Sequence, residues 1–344
     1  MSLFDADQKL RLNLKQVIIN MVLVLLGIFL ILFLAKISGV SLSNIIRDIQ
    51  NVEYPYLIAL VLSFLILIML TGWKWEALLK DITDIRSFTR GYFIYYSAIG
   101  VVSNNIIPYV GNFGVKVSSM KLLYEVPITT GIFTVFIEQL FDLLVLVLVV
   151  LPSCLFFFNI ITVKCSVLLN FIVAIFAGIL LVIYHVRLVE IIITGYIYLC
   201  KIITRIPLIG TRFKITYVPA HKVLQISKSA ATKLYFYSYM KFIVVVFRFY
   251  IIAVLLNLNI SFYVFIVAVP AVLLIVLWGP IPGNLGISET GWFAILTIFD
   301  INTSDIGTFM IVNRIFGEAA LLLAALIAYC YYTINRLFGT VEER

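Results

Sequence analysis

Gly279-Pro280-Ile281-Pro282-Gly283-Asn284-Leu285-Gly286-Ile287-Ser288-Glu289 lies between two apolar runs, and its reading decides the fold. Proline lacks an N–H and glycine loses the most backbone entropy, so this stretch does not continue a helix comfortably. At membrane depth, broken backbone survives only where protein or a water-filled cavity satisfies its polar groups. An earlier apolar run ends in the same way, at Pro108-Tyr109-Val110-Gly111-Asn112-Phe113-Gly114, and Gly-Asn-Phe-Gly at 111–114 nearly copies Gly-Asn-Leu-Gly at 283–286. Paired interruptions in the two halves of a membrane protein point to a substrate site at a repeat interface. The sequence therefore predicts breaks at Pro108, Gly111, Asn112 and Gly114, and again at Pro280, Pro282, Gly283, Asn284 and Gly286.

Composition places the whole chain in lipid. The 344 residues are 63% hydrophobic and only 12% charged, whereas soluble domains are about a quarter charged. Most of the net charge of +8 falls between Arg187 and Lys233, where eight Lys or Arg face Glu190 alone. Basic residues beside spans are cytoplasmic anchors on anionic headgroups, so a nucleic-acid partner is not expected. Cys154, Cys165, Cys200 and Cys330, with His185 and His221, show no ligand spacing, and no metal, haem or other cofactor is expected. The first apolar run, 17–35, has span length and lacks a small-residue cleavage site, so it does not read as a signal peptide.

In chain order the reading is a polar N-terminal segment 1–16, one transmembrane domain 17–335 and a tail 336–344. The domain divides into a first half 17–185, a basic segment 186–236 and a second half 237–335. Six spans are predicted, at 17–35, 55–73, 128–151, 166–185, 237–256 and 308–333. Lys74, Lys80, Arg86 and Arg90 read as a return to the cytoplasm, with Trp73 and Trp75 at the interface; 188–204 and 220–236 read as interfacial amphipathic helices. About 20 residues are needed to cross the bilayer core. The pieces 115–125 and 287–299 are too short for that, so 91–125 and 260–299 are predicted as re-entrant hairpins entering from opposite faces. The fold class is thus all-α and polytopic, with an inverted-repeat character. Charge placement puts the N-terminus, the basic segment and the C-terminus in the cytoplasm.

Each hairpin precedes a long apolar helix with two ionisable residues four apart, Glu138 and Asp142 in the first and Arg314 and Glu318 in the second. Residues at that spacing share a helix face. A charge at mid-bilayer costs roughly 2.5–3.5 kcal/mol, so four are not idle passengers. One reading makes them an ion-pair brace between helices. The other makes them the lining of a polar cavity, converging between the hairpin tips with Glu289 at the rim. Three acids and one base leave these four at −2, to be offset by Lys116, Lys241, Arg248, protons or an amino-bearing headgroup. Glu289 also reads as a stabiliser of its helix N-terminus.

These residues resemble the flippase-like transmembrane domain of lysylphosphatidylglycerol synthases, a family with standalone members near lipid-linked glycan pathways. The resemblance covers roughly 15–335. Asn105, Pro108, Gly111, Gly114 and Lys116 stand where the family has an Asn, a Pro, a glycine pair and a basic residue; Pro282, Gly283, Gly286 and Glu289 keep its Pro-Gly-x-x-Gly-x-x-Glu motif, and Arg314 its later arginine. Glu138 and Asp142 match the acidic positions, but Gln139 replaces an arginine and Lys116 stands where arginine is usual. The resemblance implies a lipid translocase of the cell membrane, acting on an aminoacyl-phospholipid or a lipid-linked glycan. Substrate-binding residues are then expected at Asn105, Lys116, Glu138, Asp142, Glu289, Arg314 and Glu318. No catalytic constellation or ATP-binding motif is found, and an aminoacyl transferase activity is not expected. The alternatives are a non-catalytic partner of a glycosyltransferase or lipid synthase, and a lipid-modifying enzyme.

Overall fold

The computed structural model describes residues 52–83, 88–107, 110–205, 226–277 and 281–338, and beyond these Phe29, Phe33, Lys36 and Ile37. Most of the predicted first span, the N-terminal segment, the basic stretch 206–225, Pro108, Pro280 and the tail from 339 lie outside the described residues.

The described chain is all-α. Helix α1 (Tyr54–Ile82) opens with a proline in its first turn, where a missing N–H costs nothing. Then come α2 (Arg90–Ile106), α3 (Val110–Tyr124), α4 (Ile128–Phe157) and α5 (Val163–Arg205). After the basic stretch follow α6 (Lys228–Leu255), α7 (Phe262–Leu277), a single 3-10 turn at Pro282–Asn284, α8 (Ile287–Ile298) and α9 (Thr303–Phe338). Among the described residues, α1, α4, the first part of α5 (Val163–Tyr184), α6 and most of α9 are long and apolar enough to cross a membrane. The chain is an all-α polytopic membrane protein.

Two helix–break–helix units stand beside these spans. Helices α2 and α3 pack on each other, as do α7 and α8. Their members have 17 and 15 residues in the first unit and 16 and 12 in the second. At about 1.5 Å per residue none of the four exceeds about 26 Å, short of the ~30 Å hydrocarbon core.

The near-identical glycine motifs turn out to have different backbones. In the second unit Gly283, Asn284 and Gly286 hold φ of 62°, 53° and 80°, the left-handed region that glycine and asparagine tolerate best. In the first unit Gly111, Asn112 and Gly114 are ordinary helical residues inside α3. The break lies one turn earlier, where Ile107 becomes extended ahead of Pro108, as residues preceding proline do. Gly111 is needed for closeness rather than for conformation, because a Cβ there would overlap the Ser103 carbonyl of α2. A Cβ on Gly114 would meet nothing within 4 Å. Gly111→Ala should therefore lower the unfolding temperature of the detergent-solubilised protein. Gly114→Ala should leave it unchanged or raise it, since alanine is the better helix former. Equal losses at both positions would refute the close-packing role.

Three boundaries differ from the sequence reading. Helix α1 runs nine residues past the predicted end of its span, which draws Lys74 and Trp75 into the protein; both are fully buried. Residues 228–236 form the first turns of the α6 span, capped by the Ser227 side chain, and are not a separate interfacial helix. Residues 188–204 continue from the preceding span after a break in helical geometry at Tyr184 (φ −107°, ψ 19°).

The main core joins α1, α4, α6, α7, α8 and α9 through residues such as Phe64, Ile137, Phe141, Phe249, Phe265, Trp292 and Phe309. A smaller aromatic core of Trp75, Phe88, Tyr92, Phe93 and Met120 ties the first helix–break–helix unit to α1. Leu168, Ile175, Phe176, Leu322 and Leu326 are exposed on α5 and α9. Lipid is as apolar as these side chains, so an outward leucine face costs nothing there.

Candidate functional site

The intramembrane charges form two networks, one for each helix–break–helix unit. The first is assembled from four helices. Lys116 of α3 donates to both carboxylate oxygens of Glu138 on α4, at 2.9 and 2.7 Å, and its ammonium lies 4.9 Å from the Trp75 ring centroid. Lys74 of α1 donates to the Glu138 carbonyl at 3.0 Å and to Asp142 Oδ1 at 2.5 Å. On α6, Lys241 donates to Asp142 Oδ2 at 2.6 Å and Ser238 to Oδ1 at 2.7 Å. The i, i+4 spacing of Glu138 and Asp142 works as expected: one helix face offers two carboxylates, and three lysines from three other helices answer them.

Exposure divides this network. Lys116 and Glu138 are 0% and 1% exposed, sealed in the interior, and their pairing braces α3 against α4. The side chains of Asp142 and Lys241 are 30% and 26% exposed. They face a cavity of about 550 Å³ between α4, α6 and α7, also lined by Asn104, Gln139, Ser238 and Asn284.

The second network holds the broken backbone of 282–286. Arg314 of α9 donates to Glu289 Oε1 at 2.9 Å, to the Gly283 carbonyl at 2.7 Å and to Glu318 Oε1 at 3.1 Å. The other Glu289 oxygen accepts from the Gly286 N–H at 2.8 Å, which caps α8. Glu289 is buried with both oxygens engaged, so it is a fixed part of the break and not a residue at a cavity rim. Glu318 also accepts from Asn105 at 2.9 Å, so the end of α2 meets the second break directly. A cavity of about 200 Å³ lies here, lined by Asn105, Arg248, Gly283, Ser288, Asn313, Arg314 and Glu318.

The four predicted charges therefore do not converge on one cavity. Glu138 is sealed behind the larger cavity, Asp142 lines it, and Arg314 and Glu318 line the smaller one. The two cavities share the wall formed by Leu273, Val276 and Asn284. Asn105 and Asn284 are thus placed where the sequence pointed, while Gly111, Asn112 and Gly114 lie within α3.

The charge balance also changes. The four predicted charges keep their sum of −2, but with Lys74, Lys116, Lys241, Arg248 and Glu289 beside them the nine described groups sum to +1. An amino-bearing headgroup is not required to balance them. Lys74 is the residue the sequence reading missed. Hydropathy alone ended the span just before it, and the signal that could have found it was the unpaired acidic excess on α4.

Short paired helices around two adjoining, charge-lined cavities define a polytopic membrane protein built to hold polar groups inside lipid. Residues 17–325 match the family described as the lysylphosphatidylglycerol synthase TM region, and the chain belongs to that family. No curated protein and no solved structure matches the chain. Among the described residues no cluster of His, Cys, Asp or Glu is arranged to hold a metal ion.

Proposed function

We propose that the protein is a flippase-like lipid translocase of the cell membrane, moving a polar headgroup across the bilayer while the acyl chains stay in hydrocarbon. The observation that carries this reading is the pair of cavities that meet at Asn284, on the second break, each with charged and amide side chains in its wall. A headgroup is costly to desolvate, and cavities offering amides and charges lower that barrier. The short helix pairs act as re-entrant hairpins entering from opposite faces, with the basic segment and both termini cytoplasmic. Asn105, Asp142, Lys241, Arg314 and Glu318 contact the headgroup; Lys116, Glu138 and Glu289 hold the helices that present them.

The test is headgroup accessibility in proteoliposomes of the purified chain, using lipids with a quenchable headgroup label. The wild type should expose lipid from both leaflets. Asp142→Asn and Lys241→Met should slow that exchange at least tenfold while still folding and inserting. Unchanged exchange in these variants with lowered thermal stability would make the charges an internal brace, whereas a wild type that exposes only one leaflet would end the translocase reading. Chemical conversion of the lipid without exchange would mark an enzyme instead.

A further inference from the structure

Arg248 is left over by everything described so far. It lies on α6, seven residues beyond Lys241 and so on nearly the same helix face. Its guanidinium carbon sits 4.7 Å from the Phe64 ring centroid and 4.6 Å from that of Phe249. Its Nε is buried without a hydrogen-bond partner, and among the described residues no ion pair reaches the group. The cations around it are matched: Lys241 by Asp142, and Arg314 by Glu289 and Glu318.

An arginine in a span is costly to insert. Two aromatic faces recover part of that through cation–π contact. They leave the planar fork of N–H donors unused. Arg248 lines the 200 Å³ cavity together with Asn313 and Ser288. Glu318, the acid on the same cavity, is already held by Arg314 and Asn105. The space suits a tetrahedral oxyanion with some of its water, given about 30 Å³ for each water molecule. Guanidinium is the side chain best shaped for two parallel bonds to phosphate oxygens.

We propose that Arg248 and the small cavity form a phosphate-binding site, and that its ligand is the phosphate of a lipid headgroup. The lipid source rests on the translocation reading and narrows it to phosphate-bearing lipids. Phe64 and Phe249 hold the cation ready, and Asn313 completes the contact. Lys241, about two turns away in the adjoining cavity, is the next cation such a headgroup meets.

The experiment titrates the detergent-purified full chain with phosphatidylglycerol, with a neutral glucosyl diacylglycerol and with inorganic phosphate, reading bound lipid by native mass spectrometry. The wild type should prefer phosphatidylglycerol to the neutral lipid. Arg248→Gln should weaken phosphatidylglycerol binding about tenfold and leave the neutral lipid unchanged, the size expected for one charge-assisted pair. Asn313→Ala should weaken it several-fold and serves as the reading if the glutamine variant does not fold. Unchanged phosphatidylglycerol binding in these variants, or an equal loss for the neutral lipid, overturns the site. Inorganic phosphate that stabilises the wild type but not Arg248→Gln, with phosphatidylglycerol binding indifferent to the substitution, assigns free phosphate and overturns the lipid source. Binding is read at equilibrium in detergent. A wild type that lacks selectivity yet exchanges lipid in proteoliposomes therefore removes this site alone, and a selective wild type without exchange removes the translocase reading alone.

Discussion

Lys116→Met should destabilise the folded chain by about 3–5 kcal/mol, the usual result of stripping one partner from a buried ion pair. Glu138 would keep its place at 1% exposure, with Lys74 at 4.0 Å as its nearest remaining cation. The larger effect is expected in the comparison. Lys116→Met combined with Glu138→Leu should recover most of the loss, because a well-packed apolar pair replaces a buried ion pair at little cost or even with gain. Unfolding by SDS titration in mixed micelles measures both. Additive losses in the double variant would mean that the two residues do not act as a pair. Headgroup exchange by a folded double variant should stay near the wild-type rate, since neither side chain faces a cavity. That outcome separates the brace from the cavity lining, which single substitutions cannot do.

Arg314→Gln should cost a comparable amount for a different reason. The guanidinium holds the Gly283 carbonyl, the Glu289 carboxylate and Glu318 at once. Removing it leaves Glu289 charged, buried and bound only to the Gly286 N–H. A loss of about 3 kcal/mol or more is expected. The break itself should also loosen, so amide exchange at 283–290 should rise well beyond that of α4. Protection unchanged at the break would show that the left-handed turn is held by its own backbone. Adding Glu289→Gln should restore part of the stability, but not the protection, because the carbonyl clamp stays absent.

The described spans, the two interruptions and the paired charges were readable in the sequence because each obeys a local rule. An apolar run of span length, a Pro-Gly cluster and an i, i+4 pair need no knowledge of the rest of the chain. What stayed hidden depends on partners distant in sequence. Lys74 looks like the end of a hydropathic run, and only Asp142, 68 residues later, makes it an interior residue. Gly-Asn-Phe-Gly and Gly-Asn-Leu-Gly look alike, yet one lies in a helix pressed against Ser103 and the other forms a left-handed turn held by Arg314. Asp142 and Arg314 each fall 31 residues after the first glycine of their motif. That register locates both in their networks, but it gives no sign that the networks line separate cavities. Convergence on a single site was the natural expectation from sequence, and packing of α7 between the two cavities rules it out.

Among the described residues, the nine ionisable groups of the two networks and Arg248 carry a surplus of one positive charge, which has a consequence for energetics across an energised membrane. Moving one elementary charge through the full membrane potential is worth about 2.3 kcal/mol per 100 mV. With one singly charged phosphate bound at the proposed site, these nine groups and the ligand become electrically neutral together. In the proposed translocation, the laden step would then be indifferent to voltage. The unladen protein keeps its charge, so any step in which it rearranges empty is the step that the potential drives or opposes.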